Sequence, residues 1–481
     1  DLVRSRGLGD VYKRQIIARY NQPLYVAVKT RQQVAAAEGK VTVDFYLINE
    51  KNVRGNHQLK ISVTDSQGKV MEVGTYETEA AGGEVYGQLL VKDVKIPVPT
   101  AGGLCRIEAK LCKENSVVTT GYDDILSVNL ASNMLDGKGA VWEDGSALQN
   151  FLKGKTKEAV AAYEDNLGKL DWIMVARPPR KDQLTMVPME ALRSADGKPG
   201  LDVVYYEDME FQKEVYHEVA KVVNLSAIEG ATPSPFVYML DGYGIKWSGK
   251  VLPSVSGEYT IIPQSNDRSM IEVFVNGKKI YEITRKKEHL GDGKVYLEGG
   301  KSADIEIRFR HPRSNARCRL DWAVPNDKMP DAQRLMERAV NDGTKIFIIQ
   351  SADEWSEFIA ANSKAVFKDK FFVGTNWLGG VMFNKPHDIF KELPVGNALN
   401  WPYQALIHTG VERMGLVMEG EELLVGAYHT YPMAIGTAMG IVPMGKGSVL
   451  FSTLDIYGNI INDSAAGLVA KKLIFNMIDF K

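Results

Sequence analysis

The stretch Ile245 to Ile280, IKWSGKVLPSVSGEYTIIPQSNDRSMIEVFVNGKKI, limits what this chain can become more than any other. Ile271, Val273 and Val275 alternate with Glu272 and Phe274. That period of two sends one set of side chains to one face of a strand. Asn276-Gly277 follows, and both residues tolerate the positive φ that a tight hairpin turn demands. Upstream, Ser256-Gly257 turns into Tyr259-Thr260-Ile261; downstream, Ile305, Ile307 and Phe309 alternate with Glu306 and Arg308. Such a pattern predicts an antiparallel sheet with one buried face. Trp247, in step with Ile245, falls on that face and reads as core rather than as a platform for a sugar ring.

With 481 residues the chain has room for about three domains. Residues 16–130 predict a β-sandwich. Leu24, Val26 and Val28 alternate, as do Val41, Val43, Phe45 and Leu47, and then Leu59, Ile61 and Val63, which end at the turn Asp65-Ser66-Gln67-Gly68. Short strands at regular spacing predict two packed antiparallel sheets. Cys105 and Cys112 are either buried thiols or a pair across a hairpin, and Cys318 is left over, so cysteine usage does not set the redox compartment. The net charge of −2 argues against a nucleic-acid or anionic-membrane partner, and no apolar run approaches the ~18 residues of a membrane span. Residues 1–15, DLVRSRGLGDVYKRQ, have no apolar period and resemble translated adapter read-through at the ends of metagenomic reading frames. On that resemblance they stand outside the fold, and the natural N-terminus lies upstream.

From Asp136 the period changes. Trp172-Ile173-Met174-Val175-Ala176 is a continuous apolar run of the kind buried on both faces of a parallel sheet, yet no helix follows it. The helix comes much later: Ala332, Leu335, Met336, Ala339 and Val340 share one face and Gly343 ends them. Lys345 to Gln350 is a second buried strand, and Ser351 to Glu354 has the spacing of a capping box. A strand at Ser448 to Phe451 and a helix using Leu468, Val469, Leu473 and Met477 close the chain. Alternating strand and helix predicts an α/β sheet. The expected organisation is therefore one discontinuous α/β domain, residues 136–196 and 326–481, interrupted by a β-barrel at 200–325.

Chemistry is sparse. His217-Glu218 opens like the zinc motif H-E-x-x-H, but Lys221 stands where its second histidine belongs. No G-x-S-x-G elbow, P-loop or paired-cysteine zinc spacing occurs. No catalytic residue, metal ligand set or cofactor site is expected.

Three resemblances give the domains a family setting. Gly200-Leu201, Trp247-Ser248-Gly249, Ser256-Gly257-Glu258-Tyr259-Thr260, Asn266-Asp267 and Val275-Asn276-Gly277 keep the order of the protective-antigen-type β-barrel, an accessory of many glycoside hydrolases and adhesins. In its sugar-binding members two neighbouring acids hold calcium, which holds sugar hydroxyls. Here Asn266 replaces the first acid and Arg268 follows Asp267, a poor calcium site. Asn266, Asp267 and Arg268 are then either direct hydrogen-bonding partners of a glycan or a solvated loop. The string VTVDFYLINE with HQLKISVTDSQGKV resembles the immunoglobulin-like domain of glycoside hydrolase family 2, and fits other immunoglobulin-like spacers nearly as well. GTNWLGGVMF, NALNWPYQAL and GKGSVLFSTLDIYGN resemble the class I glutamine-amidotransferase-like, flavodoxin-like domain near the C-terminus of some of those hydrolases. All three cysteines lie outside that domain, so His387, His408 and His429 have no thiol nucleophile to serve. The combination implies the non-catalytic C-terminal part of a β-galactosidase-like family 2 enzyme. A catalytic barrel would precede residue 16 as its partner, a glycan would be the ligand, and the location would be periplasmic or extracellular. The alternatives are a free-standing lectin or adhesin, and an independent α/β hydrolase or amidotransferase without its nucleophile.

Overall fold

The computed structural model describes residues 22–114, 116–130, 134–179, 184–226, 242–265, 268–312, 316–325, 330–373, 380–407, 414–430, 433–460 and 465–480. Residues 1–15 lie outside this set. The molecule is built mostly of β-sheets and divides into two compact units: Asp1–Ser132 with Lys391–Pro394, and Asn133–Phe390 with Val395–Lys481.

In the first unit the alternating residues choose the faces. Val41, Val43, Phe45 and Leu47 project from the strand Lys40–Asn49, all fully buried, into one core with Leu59, Ile61 and Val63 from Gly55–Thr64 and with Ile107, Ala109 and Leu111 from Gly103–Lys113. A three-stranded and a five-stranded sheet enclose this core. Their pairing is not wholly antiparallel: Val34–Ala36 runs parallel to Leu126–Val128, after the chain crosses from one sheet to the other between Thr30 and Val34. Cys105 and Cys112 are buried free thiols on a single strand. Seven residues of strand separate them by roughly 23 Å, which rules out a hairpin disulfide.

The second unit contains two β-sheets around one core and a larger mixed sheet. The Ile245 to Ile280 region lies in the first pair. Ile271, Val273 and Val275 are buried, and Asn276 (φ 49°) and Gly277 (φ 75°) make the tight turn between Met270–Val275 and Lys278–Ile283. The pairings are antiparallel, but the described strands do not close into one hydrogen-bonded barrel. They form an eight-stranded and a five-stranded sheet, because the chain passes from one sheet to the other between Gly257–Ser265 and Met270–Val275. Trp247 is core, edge-on to Phe309 at 6.2 Å. Two short strands ahead of Gly200 also join these sheets: Thr185–Met186 pairs with Arg317–Ala323, and Leu192–Arg193 with Tyr243–Val251. The two-sheet body therefore takes chain from Thr185 onward, earlier than residue 200.

The mixed sheet has ten strands. Gly139–Glu143, Trp172–Ala176, Lys345–Ile348 and Gly447–Ser452 lie side by side in parallel. Ala434–Met444 then reverses direction and begins an antiparallel half with Met414–Glu419, Val366–Phe372 and Glu422–His429. Trp172–Ala176 pairs with Lys345–Ile348 across residues 177–344, a span that includes the whole two-sheet body. On one face Ala140, Ile173, Val175, Ile346, Val449 and Phe451 share a core with the helices Ala332–Asp342 and Ala352–Ala361. Asp331 caps the first of these helices, its carboxylate accepting from the Gln333 and Arg334 amides, and Gly343 ends it at φ 78°.

A candidate cleft at the carboxyl edge of the parallel strands

Parallel strands end where helices begin, and ligands of open α/β sheets bind outside those carboxyl ends. Here that edge is roofed by the two-sheet body. The closest join is at Asp144, just after Gly139–Glu143, whose carboxylate accepts from the Arg177 guanidinium and from the Thr185 hydroxyl. Arg177 lies over the Trp142 ring at 5.6 Å, and its carbonyl accepts from Trp355 Nε1 at 2.7 Å. Neighbouring Glu143 accepts from the Leu148 and Gln149 amides (3.0 and 2.9 Å) and from the Tyr457 hydroxyl (2.8 Å). Burial pushes its carboxyl above the usual range, against those hydrogen bonds. The helix Ala147–Leu152 is thus capped by Glu143, and Ser146 makes no side-chain capping bond.

Beside this join, beyond the ends of Lys345–Ile348 and Gly447–Ser452, lies a cleft of about 620 Å³. Its floor is the strand-to-helix turn Gln350-Ser351-Ala352 and the segment Ser452 to Asp455. Ser351 adopts a left-handed conformation, φ 54° and ψ 34°, and its hydroxyl makes no capping bond. The capping box expected at Ser351 to Glu354 is not formed, because a capping residue needs an extended backbone. The main chain closes the turn, the Glu354 and Trp355 amides donating to the Ser351 carbonyl. A serine on a sharp strand-to-helix turn has the placement of a nucleophile, but no histidine lines the cleft among the described residues. The arrangement lacks the base that would activate the hydroxyl.

The roof comes from the polar side of Arg317–Ala323. Cys318, Leu320 and Trp322 point into the core of the two-sheet body, leaving Arg317, Arg319 and Asp321 on the opposite face, toward the cleft. Asp321 is 1% exposed and takes a two-pronged pair from Arg319, at 2.7 and 2.6 Å. Burial pushes its carboxyl up while Arg319 opposes the shift. Across the cleft Lys370 pairs with Asp353 at 2.7 Å. Gln350 Oε1 is buried with no hydrogen-bond donor among the described residues. The strand Gly257–Ser265 brings Gln264 and Ser265 to the same wall.

The next residues in the chain are the predicted glycan-contacting ones. Asn266 and Asp267 lie outside the described residues, and Arg268 is exposed at φ 74°. His217 is on the strand Glu214–Ala220, exposed, 3.6 Å from Glu214. Sequence reasoning missed the cleft. One signal was present in R-C-R-L-D-W, where a period of two sets Arg317, Arg319 and Asp321 opposite an apolar face. Another was the apolar run KIFII meeting a helix through Gln350-Ser351 without a glycine.

Comparison with known proteins matches the PA14 domain to residues 197–334. Anti-sigma-I factor RsgI3 of Acetivibrio thermocellus is 28% identical over 127 residues, 26% of this chain and 19% of that protein. The chain thus spans about a fifth of the length of the curated relative it matches. Among solved structures, a β-glucosidase from Kluyveromyces marxianus is 12% identical over 45% of this chain and 26% of its own, with a TM-score of 0.30. The PA14 sugar-binding domain of an RTX adhesin is 14% identical over 26% of this chain and 88% of its own, with a TM-score of 0.21.

Proposed function

We propose that this chain is a non-catalytic, carbohydrate-binding region of a larger glycoside hydrolase of the family 2, β-galactosidase-like type. The observation that carries the proposal is the PA14 domain at residues 197–334. Solved PA14 domains include the sugar-binding domain of an RTX adhesin. On this reading the first unit is an immunoglobulin-like sandwich and the mixed sheet a flavodoxin-like, amidotransferase-like domain with the PA14 domain inserted in it. The parallel pairing of Trp172–Ala176 with Lys345–Ile348 supports the insertion. So does the pairing of Thr185 with Trp322, which puts the entering and leaving strands of the guest side by side. The catalytic barrel would be a separate part of the same protein, and the location periplasmic or extracellular. Among the described residues no helix is long and apolar enough to cross a membrane.

Isothermal titration of the whole chain against a glycan panel tests the proposal. Binding weakened at least tenfold by Asp267→Ala is expected, with no turnover of nitrophenyl β-galactoside. Millimolar calcium should leave the melting temperature unchanged, since Asn266 and Arg268 flank the single acid. A saturated site would add about 2.7 kcal/mol at a hundredfold over Kd, and a rise of that size, lost in Asp267→Ala, would return the loop to the calcium-binding type. Glycosidase activity that copurifies with the chain and survives removal of host enzymes would overturn the non-catalytic reading.

A further inference from the structure

We propose that the cleft between the PA14 domain and the carboxyl edge of the parallel strands is a binding site for a neutral saccharide, gripped from both sides. This rests on the reading of the chain as carbohydrate-binding, and adds to it a site that the PA14 domain alone does not form. Among the described residues seven charged side chains line the cleft; four of them form two pairs, and Arg317, Glu354 and Asp455 are the other three. Arg319 is paired with Asp321, and Lys370 with Asp353. Bringing in a charged ligand would mean breaking such a pair or burying an uncompensated charge, and both are costly. An apolar ligand would strand the polar groups that line the cavity. A sugar hydroxyl donates and accepts at once, which suits a wall where guanidinium and ammonium donors stand beside carboxylate and amide acceptors. Gln350 lines the cleft, and its Oε1 has no hydrogen-bond donor among the described residues. At about 620 Å³ the cleft falls within the ~300–1,000 Å³ of small-molecule sites, room for a mono- or disaccharide. Gln264 and Ser265, at the end of the strand Gly257–Ser265, add further polar side chains to the wall.

The test is hydrogen exchange on the whole wild-type chain with galactose, glucose, mannose, lactose and cellobiose at high millimolar concentration. Titrations of Gln350→Leu, Lys370→Met and Asp267→Ala accompany it. A sugar from the panel should slow exchange in residues 349–356 and 452–456, and the two cleft variants should weaken its binding tenfold or more. Should either variant lower the melting temperature, the wild-type exchange pattern decides. Protection confined to the strand before 266, with binding lost only in Asp267→Ala, overturns the cleft and leaves the carbohydrate-binding reading standing. Protection of the cleft with Asp267→Ala silent supports the cleft and removes the loop as a site. Tighter binding of glucuronate or inorganic phosphate than of any neutral sugar overturns the choice of ligand. No protection anywhere overturns both.

Discussion

Glu272 shows how one residue ties the PA14 domain together electrostatically. It sits on a central strand, mostly buried, and takes Arg310 at 2.9 Å and Lys279 at 3.2 Å. Burial works to raise its carboxyl, but the two cations more than offset this and hold it below the usual glutamate value. A carboxylate lowered by folding contributes stability that is full above the unfolded value of about 4.3 and is lost as pH falls through the folded one. Glu272→Gln should therefore cost about 1–2 kcal/mol at neutral pH and flatten the acid limb of the melting curve. Thermal melts from pH 7 to pH 3 check this, and an unchanged acid limb would show the pair to be energetically silent. Ser351 supports a second test. Because it holds a left-handed backbone without a capping bond, Ser351→Gly should be neutral or stabilising by up to about 1 kcal/mol. A true capping serine would lose stability on the same change. Asp321 shows why such residues were only partly legible. Alternation in R-C-R-L-D-W marks which side of its strand it occupies, but the cleft it faces is completed by residues 349–354 and 452–455, which no local pattern encodes.

At the scale of elements, strands were read from the sequence better than their surroundings were. The runs at Val41 to Leu47, Leu59 to Val63 and Trp172 to Ala176 carry their burial in their own periodicity, and all are strands with those faces buried. Caps were read less well. Ser351 reads as a cap in sequence yet makes no capping bond, and the donors of Ala147–Leu152 are taken by Glu143, which reaches forward from the preceding strand. The α/β expectation said nothing of the antiparallel half, because apolar runs of this kind suit a buried strand of either direction. Contact between adjacent strands sets a further limit. A Cβ on Gly139 would lie 2.0 Å from the Trp172 ring, which is 2% exposed and has no room to retreat. Gly139→Ala should cost about 1–3 kcal/mol through overpacking. A chemical-denaturation midpoint equal to wild type would mean that the indole has another place to go.

Across the second unit, the strand order makes a demand that sequence order hides. Trp172–Ala176 is hydrogen-bonded to Gly139–Glu143 on one side and Lys345–Ile348 on the other. A fragment beginning at residue 330 would leave Lys345–Ile348 with an open edge and would strip Ala140, Trp142, Ile173 and Val175 from the core that Ile346 and Ile348 share. Expressed alone it should aggregate or remain molten. The PA14 domain makes the opposite demand, since its core is formed from its own two sheets. Its cut points must respect Thr185–Met186 and Leu192–Arg193, so residues 184–325 should fold alone while 200–325 should be less stable, lacking both edge partners. Replacing 184–325 by a short Gly/Ser linker should leave the mixed sheet folded, because closure entropy grows only as about (3/2)RT ln n and the new loop is shorter. The join through Asp144 to Thr185 would be lost, leaving Arg177 as the partner of Asp144 and lowering the melting temperature without abolishing the transition. Circular dichroism melts of residues 330–481, 184–325 and 200–325 and of the linker version separate the cases. A cooperative melt from 330–481 alone would refute the interrupted domain, and so would the linker version failing to fold while 184–325 folds.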